Sequence, residues 1–279
     1  MTAARVGGDD GAMPTPPNDE LLSLEDQRAI VTGAGAGIGR AVAERLVLAG
    51  AAVLVVDLDR EAAESAAAEL SRHGTALALQ ADISQEEDVE GVVAACLGDL
   101  GALDILVNNA GIFPRENVAE LTAAHLDRVL AVNLRGLALM TREAANVMIA
   151  AGRGGRILNI SSIDAISPSM IGLAAYDASK HGVWGFTQSA ALELGPRGIT
   201  VNALAPGGVL TEGAKASMAA MAQQGAEAEA ARAAFLASIP LGRMAEPDEI
   251  ARVALAMVSA VGAYMTGAHV VVDGGALVA

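Results

Sequence analysis

Cysteine is almost missing from this sequence: Cys96 is the only one in 279 residues. No disulfide can form within the chain, and no Cys/His set with metal-ligand spacing is present, so no metal is expected. Such usage suits a reducing, cytoplasmic setting. Aromatic residues make up only 2%, so the core must be built from Val, Leu, Ile and Ala. Positive charge is also scarce. Eighteen Lys and Arg against 33 Asp and Glu leave a net charge of −15. Phosphate-rich partners need a basic footprint, which argues against nucleic acid and anionic membranes. Long apolar runs are lacking too, despite a mean hydropathy of +0.42. The best candidate lies between Arg252 and His269, is short for a span, and is interrupted by Gly262 and Gly267. It reads as a buried helix running into a strand.

The chain has the length for one large α/β domain. Residues 1–24 are rich in Gly, Pro and Asp and lack the basic start and apolar centre of a signal peptide, so a disordered tail is expected there. From Gln27 onward, short apolar runs alternate with helix-length segments. The runs are Ala29–Val31, Ala52–Val56, Ala76–Leu79, Ile105–Val107, Arg156–Ile160, Thr200–Leu204 and His269–Val272. Most are nearly continuous in apolar residues, as strands buried on both faces are. The pattern predicts one domain over residues 25–279, a Rossmann-type doubly wound parallel sheet of about seven strands with helices on both faces. Residues 211–240 interrupt the alternation with an Ala/Met/Glu-rich helical segment, expected as a lid beyond the C-terminal edge of the sheet.

Thr32-Gly33-Ala34-Gly35-Ala36-Gly37-Ile38-Gly39 follows the first strand and opens a helix. Glycines let a backbone turn tightly and approach a pyrophosphate, which the helix N-terminus then attracts. Asp57 closes the second strand, eighteen residues after Gly39. A carboxylate there accepts hydrogen bonds from ribose hydroxyls and repels a 2′-phosphate; its competing role is a helix N-cap. With Ala36 and Ile38 in the loop in place of a cation, and Arg60 three residues beyond Asp57, NAD is expected over NADP.

Together with later motifs, these features resemble the short-chain dehydrogenase/reductase family, from about residue 25 to the C-terminus. Asp82-Ile83 resembles its adenine contact, Asn108-Asn109-Ala110-Gly111 its NNAG motif, and Asn133 its helix asparagine. Tyr176-Asp177-Ala178-Ser179-Lys180 matches YxxxK. Pro206-Gly207, Val209 and Thr211 fall in its nicotinamide-embracing PGxxxT pattern, and Asp273-Gly274-Gly275 is typical as well. The resemblance implies that Lys180 and Tyr176 contact the nicotinamide ribose. It also implies that the Asn133 side chain positions a water near Lys180. Dimers or, more often, tetramers are implied as the assembly.

Tyr176 and Lys180, one helical turn apart, share a face. Oxidising an alcohol requires removal of its hydroxyl proton. A tyrosine with a pKa of about 10 becomes an effective base only beside positive charge. Ser162 is the candidate for orienting the substrate oxygen, with Ser161 the competitor. The interval from Ser162 to Tyr176 is one residue longer than is commonest in the family; counting back by the common interval lands on Ile163. Asp164 either contacts a polar substrate group or caps a turn. Cys96, with Val89, Val92, Val93 and Leu97, reads as helix core. His73, His125 and His269 have no metal-spaced partner, His181 points away from the catalytic face, and Trp184 reads as core or interface packing. The expected substrate wall comprises residues after Phe113, the loop Asp164–Leu173 (Ile166, Pro168, Met170, Ile171, Leu173), and Met218, Met221 and Phe235. No basic cluster stands near the lid. The expected activity is NAD-dependent interconversion of a small-molecule secondary alcohol and ketone. Reduction of 3-oxoacyl carrier protein and non-catalytic nucleotide sensing are the alternatives.

Overall fold

The computed structural model describes residues 15–215 and 233–279. Its sheet contains β1 (Arg28–Thr32), β2 (Ala52–Asp57), β3 (Ala76–Gln80), β4 (Ile105–Asn108), β5 (Gly155–Ile160), β6 (Ile199–Pro206) and β7 (His269–Val272). All neighbouring pairs are parallel, in the order β3-β2-β1-β4-β5-β6-β7. This is the doubly wound Rossmann-type arrangement expected from the apolar runs. The order reverses between β1 and β4, which opens a crevice at the carboxyl ends of the strands, where such sheets bind ligands.

Successive strand residues feed opposite faces. Ala29 and Val31 of β1 pack with α2 (Gly37–Leu48), α3 (Arg60–Leu70) and α8 (Pro247–Val258). Ile30 packs with α4 (Glu86–Leu100), α6 (Leu137–Ala151) and α7 (Ala174–Leu194). Both cores are aliphatic, as the shortage of aromatics requires. The Arg252–His269 stretch resolves into the end of α8, a short turn and β7. Among the described residues no helix is long and apolar enough to cross a membrane.

Two expectations need adjustment. Residues 18–22, placed in the tail, form a short helix, α1 (Asn18–Leu22). Leu24 is buried, and its N–H donates to the Ala49 carbonyl at 2.7 Å, so packing on the sheet domain begins before residue 25. On α4, Val89, Val92, Val93 and Cys96 are buried but Leu97 turns outward. Met218 and Met221 of the expected lid lie outside the described residues.

One polar row crosses the interior. Asn108 Nδ2 at the end of β4 donates to Thr141 Oγ1 of α6 at 3.0 Å and to Asn159 Oδ1 of β5 at 2.9 Å. Asn159 Nδ2 donates to Thr187 Oγ1 of α7 at 2.9 Å. All four side chains are buried. A buried polar group left without its partner costs about 1–3 kcal/mol. Replacing Asn159 with Leu takes one hydrogen-bond partner each from Asn108 and Thr187, which keep Thr141 and the Val183 carbonyl, and should lower unfolding stability by about 1–3 kcal/mol, measured by urea denaturation.

Candidate active site

The glycine turn after β1 is strained toward glycine where it matters: Gly33 has φ +62° and Gly37 has φ +57°. Gly39 has no room for a side chain, since a Cβ there would stand 2.2 Å from the Gly33 carbonyl oxygen and 2.4 Å from Asn109 Nδ2. Asn109 locks the turn from the neighbouring strand. Its amide donates to the carbonyls of Thr32 and Gly33 at 3.0 and 2.9 Å. Thr32 Oγ1 in return accepts the N–H groups of Asn109 and Ala110 at 3.1 and 3.2 Å. The second residue of the Asn pair is therefore a brace for the loop, and the first belongs to the interior row.

Asp57 stands at the end of β2, with Oδ2 accepting from Gly35 N–H at 2.8 Å and Oδ1 from Asp59 N–H at 3.1 Å. The N-cap of α3 is Asp59, which accepts from Ala62 N–H at 3.2 Å, so Asp57 is not spent on capping. Each oxygen keeps acceptor capacity facing the crevice. Arg60 turns its Nε to Gln80 Oε1 at 3.0 Å.

A cavity of about 1310 Å³ runs from this turn to Tyr176 and Lys180. Single drug-sized ligands occupy about 300–1,000 Å³, so there is space for a dinucleotide and a substrate together. Gly33, Gly37, Ile38, Asp57, Asp82 and Ile83 line one end, and Ser162, Tyr176 and Lys180 the other. Ala110 and Gly111 lie between them, with Pro206, Gly207, Val209 and Thr211 on the far wall. Of the residues singled out in the sequence, Gly35, Gly39 and Asn133 support the cavity without lining it, and Ile166, Pro168 and Ile171 of the expected substrate wall do not line it, with Ile166 and Ile171 turned to solvent.

At the catalytic end, β5 and α7 do the placing. Lys180 is buried, and its Nζ donates to the Ile160 carbonyl at 2.8 Å and stands 5.6 Å from the centre of the Tyr176 ring. Burial pulls the ammonium down to about 8, opposed by the Asp164 carboxylate. The Tyr176 ring is partly exposed but its hydroxyl lies deep. Burial pushes that phenol up to about 12; the neighbouring Ser162 hydroxyl pulls it back, and the Asp164 and Asp177 charges add to the rise. Phe113, exposed at the cavity mouth, meets Tyr176 edge-on with ring centres 6.1 Å apart.

Ser162, not Ser161, faces Tyr176. A single 3-10 turn, Ile163–Ala165, follows Ser162 in the interval that leads to Tyr176. Ser162 Oγ donates to Asp164 Oδ2 at 2.7 Å and accepts Asp164 N–H at 3.1 Å. Asp164 Oδ1 accepts Ser169 N–H at 2.9 Å, so this carboxylate does cap the turn, and it also lines the cavity.

Asn133 lies in a π-helical turn, Ala131–Gly136, between α5 (Ala123–Leu130) and α6. Its side chain is already engaged. Oδ1 accepts Ile112 N–H at 2.8 Å, and Nδ2 donates to the Ile112 carbonyl at 2.8 Å and Ser179 Oγ at 3.1 Å. The amide nitrogen has no proton left for a water, so the side chain pins the strand-to-helix loop beside Lys180 instead of holding a water through that nitrogen.

Several contacts had no sequence signal. Glu212 Oε2 accepts the Gly37 N–H at 3.2 Å. His125 Nδ1 sits 2.8 Å from Glu116 Oε2. Arg115 and Arg128 line the cavity rim. Cys96 is inert: burial, with Asp104 and Asp99 adding, pushes its thiol up to about 12. His181 is exposed, with Nδ1 2.9 Å from the Asp177 carbonyl, and Trp184 stacks on His269 at 4.7 Å. Among the described residues no group of three or more His, Cys, Asp or Glu is placed to hold a metal.

A family model described as enoyl-(acyl carrier protein) reductase matches residues 33–276. The short chain dehydrogenase/reductase astE of Aspergillus oryzae is 41% identical over 92% of this chain and 97% of its own. A short-chain dehydrogenase/reductase structure from Mycobacterium marinum superposes with a TM-score of 0.86 at 32% identity, covering 93% of this chain and 99% of that one. A proposed NAD(P)-dependent gluconate 5-dehydrogenase from Beutenbergia cavernae, with NADP bound at low occupancy, gives a TM-score of 0.84 at 36% identity, covering 93% and 100%. The chain belongs to the short-chain dehydrogenase/reductase family, oxidoreductases that use a nicotinamide cofactor.

The glycine turn gives a direct check. Gly39→Ala forces a Cβ onto the Gly33 carbonyl and the Asn109 amide, an overpacking worth about 1–3 kcal/mol. Titration of the variant with NADH, followed by nucleotide fluorescence, should show binding weakened about tenfold or more.

Proposed function

We propose that this protein is an NAD-dependent dehydrogenase that interconverts a secondary alcohol and a ketone, with Tyr176 as the proton-transferring group. The observation that carries this reading is the meeting of Ser162, Tyr176 and Lys180 at one end of a cavity whose other end is the glycine turn and Asp57. The residues suit a dinucleotide: a turn free of side chains for the pyrophosphate, a carboxylate for the ribose, and a lysine with two ammonium protons beyond its Ile160 bond.

When bound, the cofactor supplies the hydride acceptor and, oxidised, a positive charge beside the phenol. The chain's own groups do the rest. In the protein alone the phenol is held protonated by burial. The Lys180 ammonium, fixed by the Ile160 carbonyl, favours the phenolate electrostatically and offers its remaining protons to ribose hydroxyls. Tyr176 takes the alcohol proton as the carbon loses hydride, and returns it in reduction. Ser162, turning its one hydroxyl proton from Asp164, fixes the substrate oxygen opposite Tyr176. Asn133 holds the 111–113 segment against α7 through Ile112 and Ser179.

Reduction of a carrier-linked 3-oxoacyl group is the second reading. The two rim arginines favour it, and the matching family model's description shares the carrier-linked substrate, though it names reduction of an enoyl double bond. The bare Asp57 carboxylate opposes it, because that reduction normally draws on NADPH. The retained Tyr176 and Lys180 speak against a nucleotide sensor.

Two substitutions test the reading. Tyr176→Phe removes the proton carrier and should lower kcat by at least about 10²-fold, assayed as NADH appearance across a panel of secondary alcohols, with NADH binding intact. Unchanged turnover in Tyr176→Phe refutes the mechanism. For the cofactor, wild type should favour NAD over NADP in kcat/KM, and Asp57→Ser should shift the NADP/NAD ratio upward by about tenfold or more, since one repelling charge is gone. A wild-type preference for NADP overturns the cofactor assignment alone.

A further inference from the structure

Asp164 does more than a loop cap requires. It sits on the 3-10 turn after β5, is 6% exposed, and lines the cavity beside Ser162 and Tyr176. Its hydrogen bonds among the described residues are to Ser162 Oγ and Ser169 N–H, one per carboxylate oxygen. A carboxylate accepts about four hydrogen bonds, so about two acceptor positions remain. Burial of a charge with half its hydrogen bonds unmade is costly unless something else completes them. A second side chain nearby has the same unfilled capacity. Ser161 Oγ is buried, lines the same cavity and has no hydrogen-bond partner among the described residues. The rest of the wall is apolar at Ile112, Phe113, Met170 and Leu173.

We propose that Asp164 reads a second hydroxyl on the substrate, on the carbon next to the reacting one, so that the enzyme selects vicinal diols and α-hydroxy ketones over plain alcohols and ketones. This rests on the reading of the protein as an alcohol dehydrogenase. Ser162 Oγ lines the cavity beside Tyr176 and lies 2.7 Å from Asp164 Oδ2. The two oxygens of a vicinal diol are separated by about a hydrogen-bond length, the same step that separates Ser162 from Asp164. The charge pattern selects a neutral donor. A carboxylate next to the reacting carbon is repelled by Asp164, the exposed Arg115 and Arg128 of the rim notwithstanding, and an ammonium there would be crowded by the buried Lys180 ammonium, which lies close enough to feel the Asp164 charge. A hydroxyl suffers neither penalty and satisfies the carboxylate.

The experiment is a set of matched pairs assayed with the intact protein and NAD: butane-2,3-diol against butan-2-ol, cyclohexane-1,2-diol against cyclohexanol, and, in reduction, acetoin against butanone. Wild type should favour the hydroxylated member of each pair by about tenfold or more in kcat/KM, the effect of one hydrogen bond to a charged group. In Asp164→Ala that ratio should fall to near one, and in Asp164→Asn to an intermediate value. Because Asp164 also holds Ser162, both variants lose rate on every substrate; the ratio within a pair cancels that loss. If a variant is too slow to assay, inhibition constants of the same pairs against wild type and variant, measured by fluorescence of the NADH complex, report the same contact. A ratio near one in wild type, or one unchanged by Asp164→Ala, overturns the proposal while leaving the dehydrogenase reading intact. Failure of wild type to oxidise any secondary alcohol with either cofactor overturns both.

Discussion

A buried side-chain bridge between Asn159 and Thr187 ties α7 to the middle of the sheet. This amide–hydroxyl contact continues through Asn108 to Thr141 and so joins the middle of the sheet to two helices of one layer. Hydrophobic burial alone is non-directional and would tolerate sliding of α7 along the sheet. A chain of directed hydrogen bonds does not, because any slip leaves several buried groups unpaired at once. The next residue after Asn159 is Ile160, whose carbonyl holds Lys180. The same few residues that seat the helix therefore seat the ammonium.

From that seat follows the electrostatic balance of the site. An ammonium buried in a largely apolar setting is disfavoured, and its depression to about 8 records this. Asp164 counters the depression but also disfavours the phenolate of Tyr176. The protein by itself is thus tuned toward a protonated tyrosine. Positive charge placed in the cavity would move the phenol toward ionisation.

The architecture was legible because buried parallel strands write themselves as continuous apolar runs; all seven runs became strands, with ends moved by one or two residues. The glycine turn, Asp57 and the Tyr176–Lys180 pair were legible for a similar reason, since local backbone geometry and helical spacing dictate residue type. Distant pairings left no such mark. Nothing in the local sequence says that Glu212 reaches the Gly37 N–H from 175 residues away, or that Arg115 and Arg128 reach the cavity rim. The Asn133 amide shows the limit most clearly. Its residue type is legible, but its engagement with Ile112 and Ser179 depends on how the π-helical turn meets α7. The interval between Ser162 and Tyr176 is the reverse case. It looks one residue long by counting, yet the Ser162 hydroxyl stands beside the Tyr176 phenol.

Cys96 has a practical consequence. Its Sγ donates to the Ala102 carbonyl at 3.3 Å from inside the α4 layer, and its thiol is far from ionising at neutral pH. A thiol reagent reaches this sulfur only when α4 lifts from the sheet. The chain therefore carries a built-in clock for its own opening: the rate at which one label is taken up times the exposure of a core helix, at a position remote from the cofactor and substrate cavity.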